Sequence, residues 1–117
     1  MSEQIACKAS DLEPGTALRA DLKTASGAIR PIAIVRADDG DFYAVDDTCT
    51  HADVSLSEGD IDGCEIECWA HGSRFDLRSG APNELPAVTP VHTYPVRVDG
   101  EDVLVDVDAP YHAKENA

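Results

Sequence analysis

Two short segments, each pairing one cysteine with one histidine, constrain this chain more than any other feature of its sequence. They are Cys49-Thr50-His51 and Cys68-Trp69-Ala70-His71, and 16 residues separate His51 from Cys68. Zinc fingers usually group two cysteines on one segment and two histidines on the next. Here each segment offers one sulfur and one nitrogen, which suits two adjacent metal centres, one bound by both cysteines and one by both histidines. The spacing predicts metal ligands rather than ordinary buried residues.

This is the ligand set of a Rieske-type [2Fe–2S] cluster, in which two histidines replace two cysteines on one iron. With four thiolate ligands, the oxidised cluster has a net charge of minus two. Replacing two of the thiolates by neutral imidazoles brings that net charge to zero. A neutral cluster accepts an electron more easily, so its potential rises from about −400 mV in plant-type ferredoxins to about −150 mV or higher. Zinc remains an alternative on inorganic grounds alone, because a Cys₂His₂ set also satisfies its tetrahedral preference.

The residues around the four ligands extend this pattern. Residues 49–59 and 68–76 resemble the two cluster loops of bacterial Rieske-type ferredoxins, the small electron carriers of aromatic-ring-hydroxylating dioxygenase systems. Leu85-Pro86-Ala87 resembles the proline loop that covers the cluster in that family. The likeness extends over about residues 3 to 107. It implies an all-β fold, a Rieske-type antiparallel β-sandwich with an inserted cluster-binding subdomain, and one bound [2Fe–2S] cluster.

The pattern of strands and turns agrees with that fold. At 117 residues the chain is expected to form a single Rieske domain. We expect a β base at residues 1–46 and 88–108, a cluster-binding subdomain at 47–87 and a polar tail at 109–117. Strands are predicted at 4–8, 16–23, 31–36, 42–45, 64–68, 73–77, 92–98 and 102–107, with a helical turn within 53–59 capped by Asp53 or Ser55 and a turn at 60–63.

The resemblance also suggests a low reduction potential. In quinol-oxidising relatives, two further cysteines form a disulfide, and a serine and a tyrosine donate hydrogen bonds to the cluster sulfurs. At the corresponding positions this chain has Val54, Ala70, Ser73 and Phe75. Three of these four features are therefore missing, and Ser73 alone is expected to donate to a cluster sulfur.

Trp69 and the remaining cysteines are not predicted to be ligands. Trp69 could shield the cluster or face a partner, but we favour packing. Cys7 and Cys64 are expected to be free, partly buried thiols in a reducing compartment. The N-terminal residues lack a signal-peptide pattern and no apolar run is long enough to span a membrane, so a cytoplasmic location is expected.

The net charge of −14 argues against nucleic acid and anionic membranes as partners, and is compatible with either general solubility or steering towards a basic protein face. The resemblance implies a monomeric electron carrier that receives electrons from a flavin-dependent ferredoxin reductase and passes them to a terminal oxygenase. The chain itself should not be an enzyme, because no separate 2-His-1-carboxylate iron site is evident.

Three other functions are considered. One is an accessory role in iron–sulfur cluster assembly, and no feature of the sequence distinguishes this role from that of an electron carrier. A zinc-stabilised binding module would be colourless. A subunit of a quinol-oxidising complex is disfavoured by the missing anchor and disulfide.

Overall fold

The computed structural model describes residues 3–48, 55–69, 74–81 and 91–109. Within these ranges the chain is built from β-strands and two 3₁₀ turns, at Ala9–Asp11 and Leu56–Glu58. The predicted all-β class is confirmed. The strands are β1 (Glu3–Lys8), β2 (Thr16–Lys23), β3 (Ile29–Arg36), β4 (Phe42–Asp46), β5 (Asp60–Asp62), β6 (Glu65–Glu67), β7 (Arg74–Asp76), β8 (Thr93–Tyr94), β9 (Val96–Asp99) and β10 (Asp102–Asp106).

The strands form three antiparallel sheets, and the sheets pack in layers around a central one. The central sheet has the order β2-β3-β4-β8, the second has the order β1-β10-β9, and the third is the small meander β5-β6-β7. In each of the first two sheets an early strand pairs with a late one, since β1 runs against β10 and β4 against β8. The third sheet connects to the two segments that carry the predicted ligands.

Strand β3 is buried on both faces, which explains its uninterrupted apolar run. Ile32 and Ile34 face the cluster of apolar side chains shared with the β1-β10-β9 sheet. Ala33 and Val35 point the opposite way, into the cluster shared with the third sheet. Because alternate residues of a strand face opposite sides, β3 supplies both hydrophobic cores at once.

The predicted single strand at 92–98 is wrong in one respect. Pro95 lies between β8 and β9, and these two strands belong to different sheets. A proline has no N–H to donate to a ladder, so it tolerates an edge position or a break. At Pro95 the chain therefore passes from one sheet to another. Val103, Val105 and Val107 are fully buried, whereas Val98 is 44% exposed on the outer strand.

Two further predictions are corrected in the third sheet. Asp60–Asp62 was expected to be a turn but forms β5, and the chain turns after it at Gly63. Ser55 does occupy the N-cap position of the 3₁₀ turn, but its hydroxyl makes no capping bond because it donates to Asp47 instead. The domain boundaries stay a prediction, and the junction at 87–88 lies outside the described residues. No helix within the described ranges is long and apolar enough to cross a membrane.

Candidate metal centre

The segment that carries Cys49 and His51 begins and ends at one paired position. Thr48, two residues after the end of β4, forms an antiparallel bridge with Ser55. The backbone N–H of Leu56 donates to the Asp47 carbonyl oxygen at 2.5 Å, just below that bridge. Cys49 and His51 themselves lie outside the described residues. The residues on either side of this segment are hydrogen-bonded to each other. We call these flanking residues (47–48 and 55–57) the first neck.

The second segment is closed by strand pairing. Glu67 at the end of β6 pairs with Arg74 at the start of β7, so residues 68–73 connect two adjacent strands. Cys68 is fully buried and packs in the same apolar cluster as Leu56 and Phe75. His71 and Ser73 lie outside the described residues. Of the four predicted ligands, the structure therefore places Cys68, at the base of the second segment.

The bases of the two segments are in direct contact. Gly59 follows the first neck, and a Cβ added there would overlap the carbonyl oxygen of Glu67, the residue just before Cys68. Asp60 and Glu67 are also paired across β5 and β6. The two segments therefore leave the protein from neighbouring positions, as two loops that share one metal centre require.

The donor chemistry at this point fits an iron–sulfur cluster. Cys68 has no solvent exposure and its neighbours Leu56, Ile66 and Phe75 are apolar. A thiolate buried in such surroundings is unfavourable unless a cation compensates its charge. Iron would provide that charge, and a soft sulfur ligand suits it. When bound, the cluster would supply reversible one-electron chemistry, with Cys68 and Cys49 as its predicted sulfur ligands.

Trp69, for which the sequence favoured packing, is one of the exposed large hydrophobic side chains among the described residues. Its side chain is 57% exposed, the largest aromatic surface open to solvent among the described residues. An indole with this exposure, immediately after the predicted ligand Cys68, is compatible with shielding of the cluster or contact with a partner, and its role stays a prediction.

Of the other predicted neighbours of the cluster, Phe75 lies among the described residues. Phe75, where high-potential relatives have a tyrosine, is fully buried beneath the second segment. It contributes apolar packing there and offers no hydroxyl. Pro86 and Ser73, like Val54 and Ala70, lie outside the described residues, so their roles stay predictions.

A hydrogen-bonded group beside the first neck was not predicted. Asp46 Oδ1 accepts from the Tyr94 hydroxyl at 2.5 Å, and its Oδ2 accepts from the His92 backbone N–H at 3.1 Å and lies 2.9 Å from His92 Nδ1. The pKa of Tyr94 is raised well above its ordinary value. Burial is the largest cause, and the hydrogen bond to Asp46 is the second. Strand pairing alone brings His92 to Asp46, 46 residues away in sequence.

The outer face of the third sheet is acidic. Asp62, Glu65 and Glu67 surround Arg74, at N–O distances of 2.7, 3.5 and 3.4 Å. The hydrogen bond to Asp62 is the main reason that the pKa of Arg74 is raised. Asp60 lies exposed on the same small sheet. Even with Arg74, this face carries a net negative charge next to the predicted metal centre.

A layered all-β fold whose two predicted Cys/His segments start from neighbouring strands defines the class, a small β protein with a predicted metal centre. The family model described as "Rieske [2Fe-2S] domain" matches residues 2–95 of this chain. The chain therefore belongs to the Rieske [2Fe–2S] domain family.

Curated relatives agree. The ferredoxin component of biphenyl 2,3-dioxygenase from Rhodococcus jostii (strain RHA1) is 39% identical over 102 residues, covering 87% of this chain and 90% of the relative. The ferredoxin component of the p-cumate 2,3-dioxygenase system from Pseudomonas putida is 41% identical over 104 residues, covering 88% of this chain and 84% of the relative. The chain thus spans most of each of these relatives.

Solved structures show the same fold. A chain in the complex of reduced oxygenase and oxidized ferredoxin in carbazole 1,9a-dioxygenase matches with a TM-score of 0.76 and 41% identity, over 87% of this chain and 99% of that one. The Sphingomonas yanoikuyae B1 ferredoxin matches with a TM-score of 0.81 and 28% identity, over 90% of this chain and 98% of that one. The predicted Rieske-type ferredoxin resemblance is confirmed.

Proposed function

We propose that this chain is the ferredoxin of a multicomponent oxygenase system. It accepts one electron at a time from a flavin-dependent ferredoxin reductase and delivers it to a terminal non-haem iron oxygenase. The observation that carries the proposal is the roughly 40% identity to dioxygenase ferredoxin components over most of both chains. The chain performs no bond chemistry itself and serves as an electron-transfer component.

Four residues are proposed to hold one Rieske [2Fe–2S] cluster. Cys49 and Cys68 would bind one iron, and His51 and His71 the other. The contact between Gly59 and Glu67 supports this assignment, because it brings the bases of both segments together. The full burial of Cys68 supports it as well. Cys7 and Cys64 are left as free thiols, so one cluster accounts for the ligands available.

The compartment and the oligomeric state complete the proposal. Free thiols at Cys7 and Cys64 are compatible with the reducing cytoplasm. The net charge of −14 opposes association between identical copies, which supports a monomer that meets its partners transiently. An acidic protein also suits basic docking faces on the reductase and oxygenase.

An EPR-monitored redox titration of the purified protein, at two pH values, tests the cofactor and its role. We expect a rhombic signal from the reduced cluster and a midpoint near about −150 mV that does not change with pH around neutrality. A midpoint some hundreds of millivolts higher, falling with pH, would indicate a quinol-type role instead. Zinc in the metal analysis, with no signal, would contradict electron transfer altogether.

The two ends of β6 offer a matched pair of variants for the ligand assignment. Cys64 and Cys68 flank β6, and neither forms a disulfide with another described cysteine. We expect Cys68→Ser to abolish the red-brown colour and the EPR signal, because a ligand is lost, and Cys64→Ser to retain both. Equal cluster content in the two variants would refute Cys68 as a ligand.

A functional test separates the oxygenase role from cluster assembly. The reduced protein is mixed anaerobically with the terminal oxygenase encoded beside its gene, and reoxidation of the ferredoxin is followed by absorbance. Electron transfer in a second-order reaction supports the proposal. A gene neighbourhood of assembly proteins, with no transfer to any oxygenase, would favour the accessory role.

A further inference from the structure

Asp47 is the only charged side chain among the buried residues that the structure describes. It is 2% exposed and lies two residues before Cys49. Its Oδ1 accepts a hydrogen bond from the Ser57 backbone N–H at 2.9 Å, and its Oδ2 accepts one from the Ser55 hydroxyl at 2.5 Å. Both partners lie on the far side of the segment that carries Cys49 and His51. The Asp47 carboxylate therefore connects the two sides of the first neck by hydrogen bonds.

The backbone of Asp47 adds two more attachments at the same point. Its N–H donates to the Pro31 carbonyl oxygen of β3 at 3.2 Å, and its own carbonyl oxygen accepts from Leu56. The neck is thus fastened to the doubly buried strand β3 as well as to the 3₁₀ turn. A ligand-bearing segment that is fixed at both ends holds its ligands in place before a metal binds, which favours preorganised binding.

Among the described residues, the charge of Asp47 is satisfied by hydrogen bonds and not by a cation. None of the ion pairs formed by the described residues includes it. Two residues of chain span at most about 7 Å, so chain length alone keeps the Cα atoms of Asp47 and Cys49 within that distance of each other. Electrostatic interactions are weakly screened in a buried environment, and a nearby negative charge disfavours the addition of an electron to a cluster.

We propose that Asp47 is a positioning residue for the cluster: its carboxylate closes the neck of the first ligand segment, and its buried negative charge holds the reduction potential down. The inference rests on the proposed function, because it presupposes a cluster on Cys49 and His51. It assigns two separable effects to one side chain, one through hydrogen bonds and one through charge.

Three variants separate these effects. Asp47→Asn removes the charge but keeps the shape: its amide oxygen accepts from Ser57, and its amide nitrogen donates to the Ser55 oxygen, which can donate in turn to the Ser57 hydroxyl 2.8 Å away. Ser55→Ala removes one hydrogen bond and keeps the charge. Asp38→Asn is the control, since Asp38 is an exposed carboxylate that accepts the Gly63 N–H at the opposite end of β4.

Two measurements on the holoprotein read the two effects. Midpoint potentials are taken by EPR titration, and cluster retention is taken as the half-life of the visible absorbance in an iron chelator. We expect a higher potential in Asp47→Asn than in wild type or Asp38→Asn, with retention within about twofold of wild type. In Ser55→Ala we expect an unchanged potential and a half-life shortened at least threefold.

Each contrary result has a defined meaning. Equal potentials in Asp47→Asn and Asp38→Asn would refute the charge effect, and wild-type retention in Ser55→Ala would refute the positioning role. If Asp47→Asn assembles no cluster, retention in Ser55→Ala decides the positioning role alone. Absence of the rhombic signal in wild-type protein would instead refute the proposed function, and this inference with it.

Discussion

At the scale of single residues, Trp69 is the large aromatic side chain that the described structure leaves exposed. Its indole is 57% exposed and directly follows Cys68, the buried residue predicted to be a ligand. Exposed tryptophans at the centre of an interface often contribute a large share of the binding free energy, because they bury a large apolar surface on docking. In the proposed function, Trp69 therefore lies where an electron-transfer partner must approach.

Replacing Trp69 should impair docking without changing the cluster. We expect Trp69→Ala to lower the second-order rate of electron transfer to the oxygenase roughly tenfold, the effect of about 1.4 kcal/mol in the encounter. Stopped-flow absorbance at subsaturating oxygenase measures this rate, and the midpoint potential should stay at the wild-type value. Ile5→Ala is the matched control, because Ile5 is 59% exposed on the outer sheet of the base. Equal rates in both variants would contradict a docking role.

Tyr94 carries the clearest pH dependence. Its folded-state pKa is raised, first by burial and then by the bond to Asp46, above the unfolded value of about 10. The stabilisation from its neutral hydroxyl is therefore complete below pH 10 and is lost as the pH rises further. The urea midpoint, followed by circular dichroism, should fall between pH 9 and pH 11.

Tyr94→Phe isolates this contribution. The variant should lose about 1–3 kcal/mol at pH 7, since Asp46 Oδ1 then loses the Tyr94 hydroxyl as its donor, and its midpoint should fall less than that of wild type between pH 9 and pH 11. The raised pKa values of Cys7 and Tyr43 contribute alkaline sensitivity to both proteins equally. Parallel pH profiles for the variant and wild type would exclude the hydroxyl as their source.

At the scale of elements, the third sheet depends on the absence of a side chain at Gly59. The φ of Gly59 is −84°, which any residue adopts, so its glycine is not required by the local backbone. It is required by the Glu67 carbonyl, which occupies the space that a Cβ would fill. The contact connects the 3₁₀ turn to β6, and thereby connects the two ligand segments.

Gly59→Ala should therefore separate the two segments. We expect a loss of roughly 2–3 kcal/mol of stability from overpacking, together with reduced iron content per chain. Gly100→Ala is the control, because Gly100 has nothing within 4 Å of an added Cβ but a φ of +63°. That variant should lose about 1–2 kcal/mol through backbone strain and keep its full iron content. Urea denaturation and iron analysis distinguish the two outcomes, and full iron in Gly59→Ala would oppose a role for this contact in cluster binding.

At the scale of the whole molecule, charge should govern how fast the protein meets its partners. The net charge is −14, and the acidic face of the third sheet lies next to the ligand segments. Exposed charges attract a basic partner over about 10 Å at 0.1 M salt and over much less at high salt. Encounter rates steered in this way fall steeply with ionic strength.

Electron transfer to the oxygenase should accordingly slow by about tenfold or more between 20 mM and 500 mM sodium chloride. Stopped-flow rates at subsaturating oxygenase provide the measurement. The midpoint potential at both salt concentrations is the control for a direct effect on the cluster. A rate that does not change with salt would show that the acidic charge serves solubility alone.

Elements defined by interactions between residues close in sequence could be predicted, and those that depend on pairing with another segment could not. β2 and β4 could be located from short patterns, because alternation and turn residues act over a few positions. β5 was missed, since three residues among aspartates carry no strand pattern of their own. They form a strand because β6 pairs with them.

The sequence by itself determined the Cys/His ligand pattern, the all-β class and the family, because ligand chemistry and strand periodicity are local properties. The tertiary structure alone decided that β3 is buried on both faces and that Asp46 meets His92 and Tyr94. It also decided that Asp47 closes the first neck and that Trp69 remains exposed. These features depend on which distant segments pack together, and packing is set by the burial of the whole chain rather than by any short stretch of it.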